Sequence, residues 1–301
     1  MSINSADNHW MYISSTGCLT AGREQAKYAL FPYVTDDLLH QNARYTGPST
    51  HILVEQNNKK YLWQPFSDQI ESYKKEQNLY KNSLGNKIVF EEINHSLGLT
   101  FLYSWQASSR YGFVKKTKLI NHSEVKLKVK LIDGLKNILP AGLELRTQQE
   151  MSNLANAYKV SECNPDYNYA LYYMNALLMD KPDPGESLFS NMVWSFSEEK
   201  FELSVNQKSI NTFLNDQCFT SDLLIKGKEG SFLNYIEKSL DQDHEMCWYI
   251  VADVQKSQSD IVGIVSDLKE HDTLKDKLEE SILDNHYEFE KNIGMADGFQ
   301  C

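Results

Sequence analysis

The chain has 301 residues, 30 Lys plus Arg against 41 Asp plus Glu, and a net charge of −11. With 41% hydrophobic and 12% aromatic residues, a chain of this length can bury roughly 75% of the surface its unfolded form exposes, which excludes a disordered polymer. The acidic balance disfavours sequence-independent nucleic-acid binding and anionic membranes, because both are held by Lys and Arg.

The N-terminus (MSINSADN) shows no basic region followed by an apolar one, so no signal peptide is read and a cytoplasmic location is expected. The longest apolar run covers residues 246–252, far short of the roughly 20 that a spanning helix needs. Five widely spaced cysteines without a CxxC pair argue against structural zinc and for a reducing compartment.

In chain order, residues 10–23 (WMYISSTGCLTAGR) place two aromatic side chains beside a loop rich in Gly, Ser and Thr. Residues 52–55 and 61–64 flank a polar turn and predict a hairpin, as do residues 88–93 and 97–106. Residues 66–82 are polar with scattered aromatics and predict an exposed loop or short helix. Residues 111–120 and 125–131 (VKLKVKL) alternate apolar and Lys residues around the turn NHSE, which predicts an antiparallel hairpin with one wet face. Arg110, Lys115, Lys116, Lys118, Lys126, Lys128, Lys130 and Lys136 then form one solvated stripe, the alternative being a basic face that meets the acidic C-terminal tail. A short helix is expected at residues 148–158, and strands at 169–179, 188–196, 200–205 and 245–254. At least ten strands with short turns indicate an antiparallel body of two large curved sheets.

The pattern changes after Gln255. Apolar residues at 261, 264, 265 and 268 predict a helix capped by Ser259 or Asp260. Asp272 opens a second stripe through Leu274, Leu278, Ile282, Phe289 and Ile293, with Gly294 as its stop. Residues 258–301 hold eleven acids and four Lys. The fold class is therefore mainly β: a two-sheet super-sandwich over residues 1–255, followed by an acidic linker segment of two helices over residues 256–301.

Chemistry-bearing motifs are sparse. Neither GxGxxG nor GxxxxGK[ST] occurs, so no dinucleotide or P-loop site is read. The eight His are dispersed, with no HxH or HExxH, and no metal or other cofactor is expected. No GxSxG occurs, and Cys18 has no identifiable His partner. Among the acids, Asp36-Asp37 is the most suggestive pair for sugar chemistry, although adjacent strand residues face opposite ways. Its bland alternative is a solvated turn. Aromatic faces stack on sugar rings and an Arg fork binds hydroxyls or anions. Trp10, Tyr12, Arg23, Asp36 and Trp105 are thus the candidate carbohydrate-binding residues, against the alternative that the Trp residues are ordinary sheet core. No catalytic residue is identified.

Residues 10–17 (WMYISSTG) with Gly22-Arg23, and residues 118–127 (KLINHSEVKL), resemble the N-terminal β-sandwich domain of the inverting disaccharide phosphorylases, the cellobiose and chitobiose phosphorylase family. The resemblance extends over roughly residues 8–300 in arrangement more than in identical motifs. It implies a non-catalytic domain of a carbohydrate-active enzyme. Such a domain makes contacts with a C-terminal helical barrel or a homodimer partner and lends a loop, here residues 14–23, to the rim of an oligosaccharide site. The family's catalytic acid lies in the barrel, and this sequence ends at Cys301 where a barrel would begin. Two other readings stay open: a free-standing carbohydrate-binding module, and a mutarotase-type sugar epimerase with its acid and base on a concave sheet face.

Overall fold

A computed structural model describes the chain apart from residues 36–37, 57, 68–72, 177–186, 217 and 299–301. Strands β1 (Ser2–Ile3), β2 (His9–Ile13) and β3 (Leu19–Arg23) form a small sheet. There follow β4 (Gly47–Gln56), β5 (Lys59–Trp63), β6 (Lys75–Lys81), β7 (Ile88–Asn94), β8 (Leu99–Ser108), β9 (Gly112–Asn121) and β10 (Leu127–Ile138). Helices α1 (Leu145–Glu150) and α2 (Ser152–Tyr158) precede β11 (Lys159–Asn164), β12 (Tyr169–Met174), β13 (Ser190–Ser197) and β14 (Glu202–Ser204). Helix α3 (Lys208–Asp216) leads to β15 (Leu224–Lys226), β16 (Gly230–Leu240) and β17 (Glu245–Lys256). The chain continues into α4 (Gln258–Lys269) and α5 (His271–Ile293).

Among the described residues the two expected sheets are three. Besides the three-stranded sheet there is a five-stranded sheet ordered β14-β16-β10-β4-β5 and a nine-stranded sheet ordered β15-β11-β12-β13-β17-β9-β8-β7-β6. All of their ladders are antiparallel. One apolar core takes residues from both large sheets. It includes Ile52, Val129, Leu131 and Phe232 from the smaller and Phe90, Phe101, Trp105 and Trp248 from the larger.

The β4–β5 and β7–β8 hairpins form as their alternation predicts. The hairpin expected from residues 111–131 does not. β9 pairs with β8 and β17, whereas β10 pairs with β4 and β16, so the turn after Asn121 carries the chain from one sheet to the other. Alternation marks a wet and a dry face but does not choose a partner. Residues 75–81, read as loop or helix, form the exposed edge strand β6.

The solvated Lys stripe is also corrected. Lys115 is 0% exposed and Lys136 8% exposed. Lys118, Lys128 and Lys130 pair with Glu245 and Glu237 on neighbouring strands, and Lys126 with Asp241 just after β16. Arg110 and Lys116 meet the C-terminal helices at Asp267 and Glu279, each 2.5 Å away.

Ser257, rather than Ser259 or Asp260, caps α4: its Oγ accepts the Asp260 N–H at 3.3 Å, while Asp260 Oδ2 accepts the Ser257 N–H at 2.9 Å. Ile264 and Leu268 of α4 and Leu274, Leu278 and Ile282 of α5 are buried with Tyr111, Trp194, Tyr249 and Val251 on the outer face of the nine-stranded sheet. Each such aliphatic side chain contributes about 1.5–3 kcal/mol on burial. The outer face of the five-stranded sheet is covered by Ile210 and Phe213 of α3 over Leu53, Ile132, Leu233 and Tyr235.

Candidate functional site

Strand β5 pairs with β4 only from Ile52 to Gln56. Residues 47–51 of β4 therefore have a strand neighbour on the β10 side alone. A cavity of about 530 Å³ opens at this free edge, between the turn at Thr16 and Gly17, the segment 64–67 and the exposed side of α3. Because an edge strand presents both of its faces, the cavity is lined by Thr50 from one face of β4 and by Ser49 and His51 from the other.

On the outer face, Lys136 lies opposite Gly47 and His51 opposite Ile132. The Lys136 Nζ donates to the Arg44 carbonyl at 2.6 Å. Burial pulls its ammonium down to about 8. His51 is 9% exposed, with Nε2 at 3.0 Å from Ser49 Oγ. Its Nδ1 is buried without a hydrogen-bond partner. Burial first, and then the Lys136 charge, lower the imidazole to about 4, so the ring is neutral at pH 7. Whichever tautomer Ser49 selects, Nδ1 retains one open hydrogen-bonding position.

On the inner face the cavity rests on a buried charge network. Thr50 Oγ1 donates to Asp133 Oδ1 at 2.7 Å. Lys115 Nζ donates to both Asp133 oxygens at 2.7 and 2.8 Å, and Trp248 Nε1 to Oδ2 at 2.7 Å. Asp133 is 0% exposed. Beside it stands Tyr103, whose phenol is pushed above its ordinary range by burial and then by the Asp133 charge. Gly17 is needed here: its φ is +84°, and a Cβ would lie 2.5 Å from the Tyr103 Oη.

The remaining wall is set by Glu92, which is 0% exposed. Its carboxylate accepts Trp63 Nε1 at 2.6 Å, Gln77 Nε2 at 2.6 Å and the Phe66 N–H at 2.7 Å. Phe66 takes φ +62°, a left-handed conformation that costs of order 1–3 kcal/mol in a non-Gly residue. The bond to Glu92 and the edge-on ring contact with Tyr103, centroids 5.5 Å apart, hold it there.

The residues expected from sequence lie elsewhere. Trp105 is 0% exposed inside the core between the large sheets, so its ring offers no face to a ligand. Arg23 spends its fork on Asp253, with Nε and Nη2 at 2.7 and 3.0 Å, and on Asn8 at 3.2 Å. Trp10 and Tyr12 are half-buried neighbours on one face of β2, with Tyr33 edge-on to Trp10 at 5.8 Å. None of these four lines the cavity. Asp36 lies outside the described residues. From the expected rim loop, Thr16 and Gly17 do line the cavity, whereas Leu19–Arg23 is strand β3.

His51, Lys136, Tyr103 and Thr50 were not singled out as a group by the sequence. The one usable signal was Lys136, which continues the even-numbered Lys series of β10 beyond two apolar positions. Among the described residues, no cluster of three or more His, Cys, Asp or Glu is arranged to hold a metal ion, and no helix is long and apolar enough to cross a membrane.

No protein-family model matches the chain, and no curated protein matches it. Among solved structures it is similar to a polysaccharide lyase, at 9% identity and a TM-score of 0.49, covering 88% of this chain and 34% of the lyase. It is similar to a human-microbiome protein described as a kojibiose phosphorylase, at 12% identity and a TM-score of 0.39, covering 81% and 27%. It is similar to a 4-α-glucanotransferase from Thermococcus litoralis, at 10% identity and a TM-score of 0.36, covering 84% and 37%. These structural neighbours are carbohydrate-active enzymes, and the chain spans about a third of the length of each.

Proposed function

We propose that the chain is the carbohydrate-binding β-sandwich of a carbohydrate-active enzyme, and that the cavity at the free edge of β4 is where it meets an oligosaccharide. The observation that carries this reading is the lining. Hydroxyls of Thr16, Ser49, Thr50 and Tyr103, the amides of Gln64 and Asn211, and the ring of Phe66 surround about 530 Å³. A sugar needs that combination of convergent hydrogen-bonding groups and one aromatic wall. In this reading the body of residues 1–255 is a non-catalytic unit of the disaccharide-phosphorylase type, Thr16 and Gly17 are its rim, and residues 256–301 lead towards a helical barrel or a homodimer partner. The cell compartment proposed is the cytoplasm.

The test is calorimetric titration of the full chain with a panel of oligosaccharides. Asn211 is exposed on α3 at the mouth, so Asn211→Trp blocks the cavity without touching the core. The parent is expected to bind, Asn211→Trp to lose at least tenfold, and Trp10→Ala to bind as the parent does. No binding to any sugar overturns the reading. Binding that Trp10→Ala removes and Asn211→Trp leaves intact moves the site to the β2 aromatic cluster.

A second reading is favoured by one observation, the neutral His51 with its unpartnered Nδ1 on a cavity that the Tyr103 hydroxyl also lines. A ring nitrogen and a hydroxyl on one cavity can exchange protons with a sugar's anomeric centre, as a mutarotase-type epimerase does. An anomer-equilibration assay with parent and His51→Gln tests it, and a rate equal to buffer alone eliminates it.

A further inference from the structure

Two lysines near the cavity are buried, and only one of them has a counter-ion. Lys115 is neutralised by Asp133 through two hydrogen bonds. Lys136, at 8% exposure, has a backbone carbonyl as its hydrogen-bond acceptor, and among the described residues no carboxylate lies within ion-pair distance of it. An ammonium taken out of water without a negative partner is an expensive arrangement. A ligand bringing one negative charge into the cavity would offset that cost.

Two further observations point the same way. Arg44, an exposed second cation, stands on the cavity wall. The described lining contains no carboxylate.

We propose that the cavity seats a monoanionic oxyanion group carried by the sugar, a uronate carboxylate or a sulfate ester, held by the Lys136 ammonium. The inference rests on the cavity being the sugar site. One buried ammonium matches one negative charge. A neutral sugar leaves Lys136 uncompensated, and a phosphate dianion leaves an excess charge in a site whose second cation lies at the solvent-exposed mouth.

The experiment titrates the full chain with a glucuronate-containing disaccharide, its glucose counterpart, a sulfated glucose disaccharide, and acetate and inorganic sulfate as free anions. The parent is expected to prefer the uronate or the sulfate ester over the neutral disaccharide by at least tenfold, and the two anionic arms distinguish those sources. Lys136→Met is expected to abolish the preference while its ligand-free melting temperature stays at or above that of the parent, because it removes an unpaired buried charge. Equal affinity for the glucose and glucuronate disaccharides overturns this inference and leaves the carbohydrate reading standing. Binding of free anions with no added affinity for the sugars keeps the anion seat and overturns the carbohydrate reading. Should Lys136→Met not fold, the lysine is structurally required and the inference falls.

Discussion

Replacing Asp133 with Asn removes the counter-charge of Lys115 while keeping the shape of the side chain. The carboxylate accepts four hydrogen bonds, two from Lys115, one from Thr50 and one from Trp248. Both charged groups are 0% exposed, so water cannot take over. Breaking a buried pair by removing one partner costs about 3–5 kcal/mol. That is a large share of the roughly 5–15 kcal/mol by which a folded domain is stable. Urea unfolding of parent and variant measures the loss directly.

The pH dependence supplies a second check. In the variant, Lys115 stays buried only by shedding its proton, so its folded pKa falls further below the unfolded value of about 10.4. The unfolded chain then binds more protons than the folded one above neutral pH, and stability rises as the pH is raised towards 10. Lys115→Met with Asp133→Leu, which removes both charges, is expected to recover most of the loss. A loss below about 1 kcal/mol for Asp133→Asn, with no gain at high pH, would refute the claim that this pair is a desolvated ion pair.

Three other outcomes are expected. Because His51 has a folded pKa of about 4 against 6.5 unfolded, its contribution is complete above pH 6.5 and is lost as the pH falls towards 4. The loss amounts to about 3 kcal/mol, and His51→Gln should flatten that part of the stability–pH curve. Gly17→Ala should destabilise by about 1–3 kcal/mol, because the residue sits at φ +84° and its Cβ meets the Tyr103 hydroxyl; an unchanged urea midpoint would contradict this. Trp105→Ala should cost about 3–5 kcal/mol as a core truncation, while the oligosaccharide affinity of the protein that remains folded matches that of the parent.

The strand content was legible because period-two alternation is a local property. VKLKVKL, and the paired runs around residues 57 and 95, need only their own residues to declare a dry and a wet face. The C-terminal stripes at helical spacing are local in the same sense, although the cap of the first helix is Ser257 and not the expected Ser259 or Asp260. Partner choice was not legible. The hydrophobic pattern of β9 and β10 suits a hairpin as well as it suits two sheets facing each other, and Asp133 meeting Lys115 across the core decides nothing until the chain has folded.

The expected sugar-binding residues show the same division. A Trp with an alternating neighbourhood reads equally as a stacking platform or as core, and Trp105 became core because the five-stranded sheet covers it. Arg23 looked available until Asp253, 230 positions later, took its fork.

By itself, then, the sequence determined the strand-rich body, the acidic helical end and the absence of familiar phosphate-binding motifs, since each depends on composition or on spacing within a few residues. Tertiary structure decided the cavity. Its walls come from a turn at Gly17, the end of β5, the unpaired half of β4, β10 and α3. The end of β5 at Trp63, opposite Ile52, leaves an edge there beside Lys136 and His51. Burial, which turned an ordinary lysine into one without a counter-ion, is a property of what packs around a residue and is not carried by the residue itself.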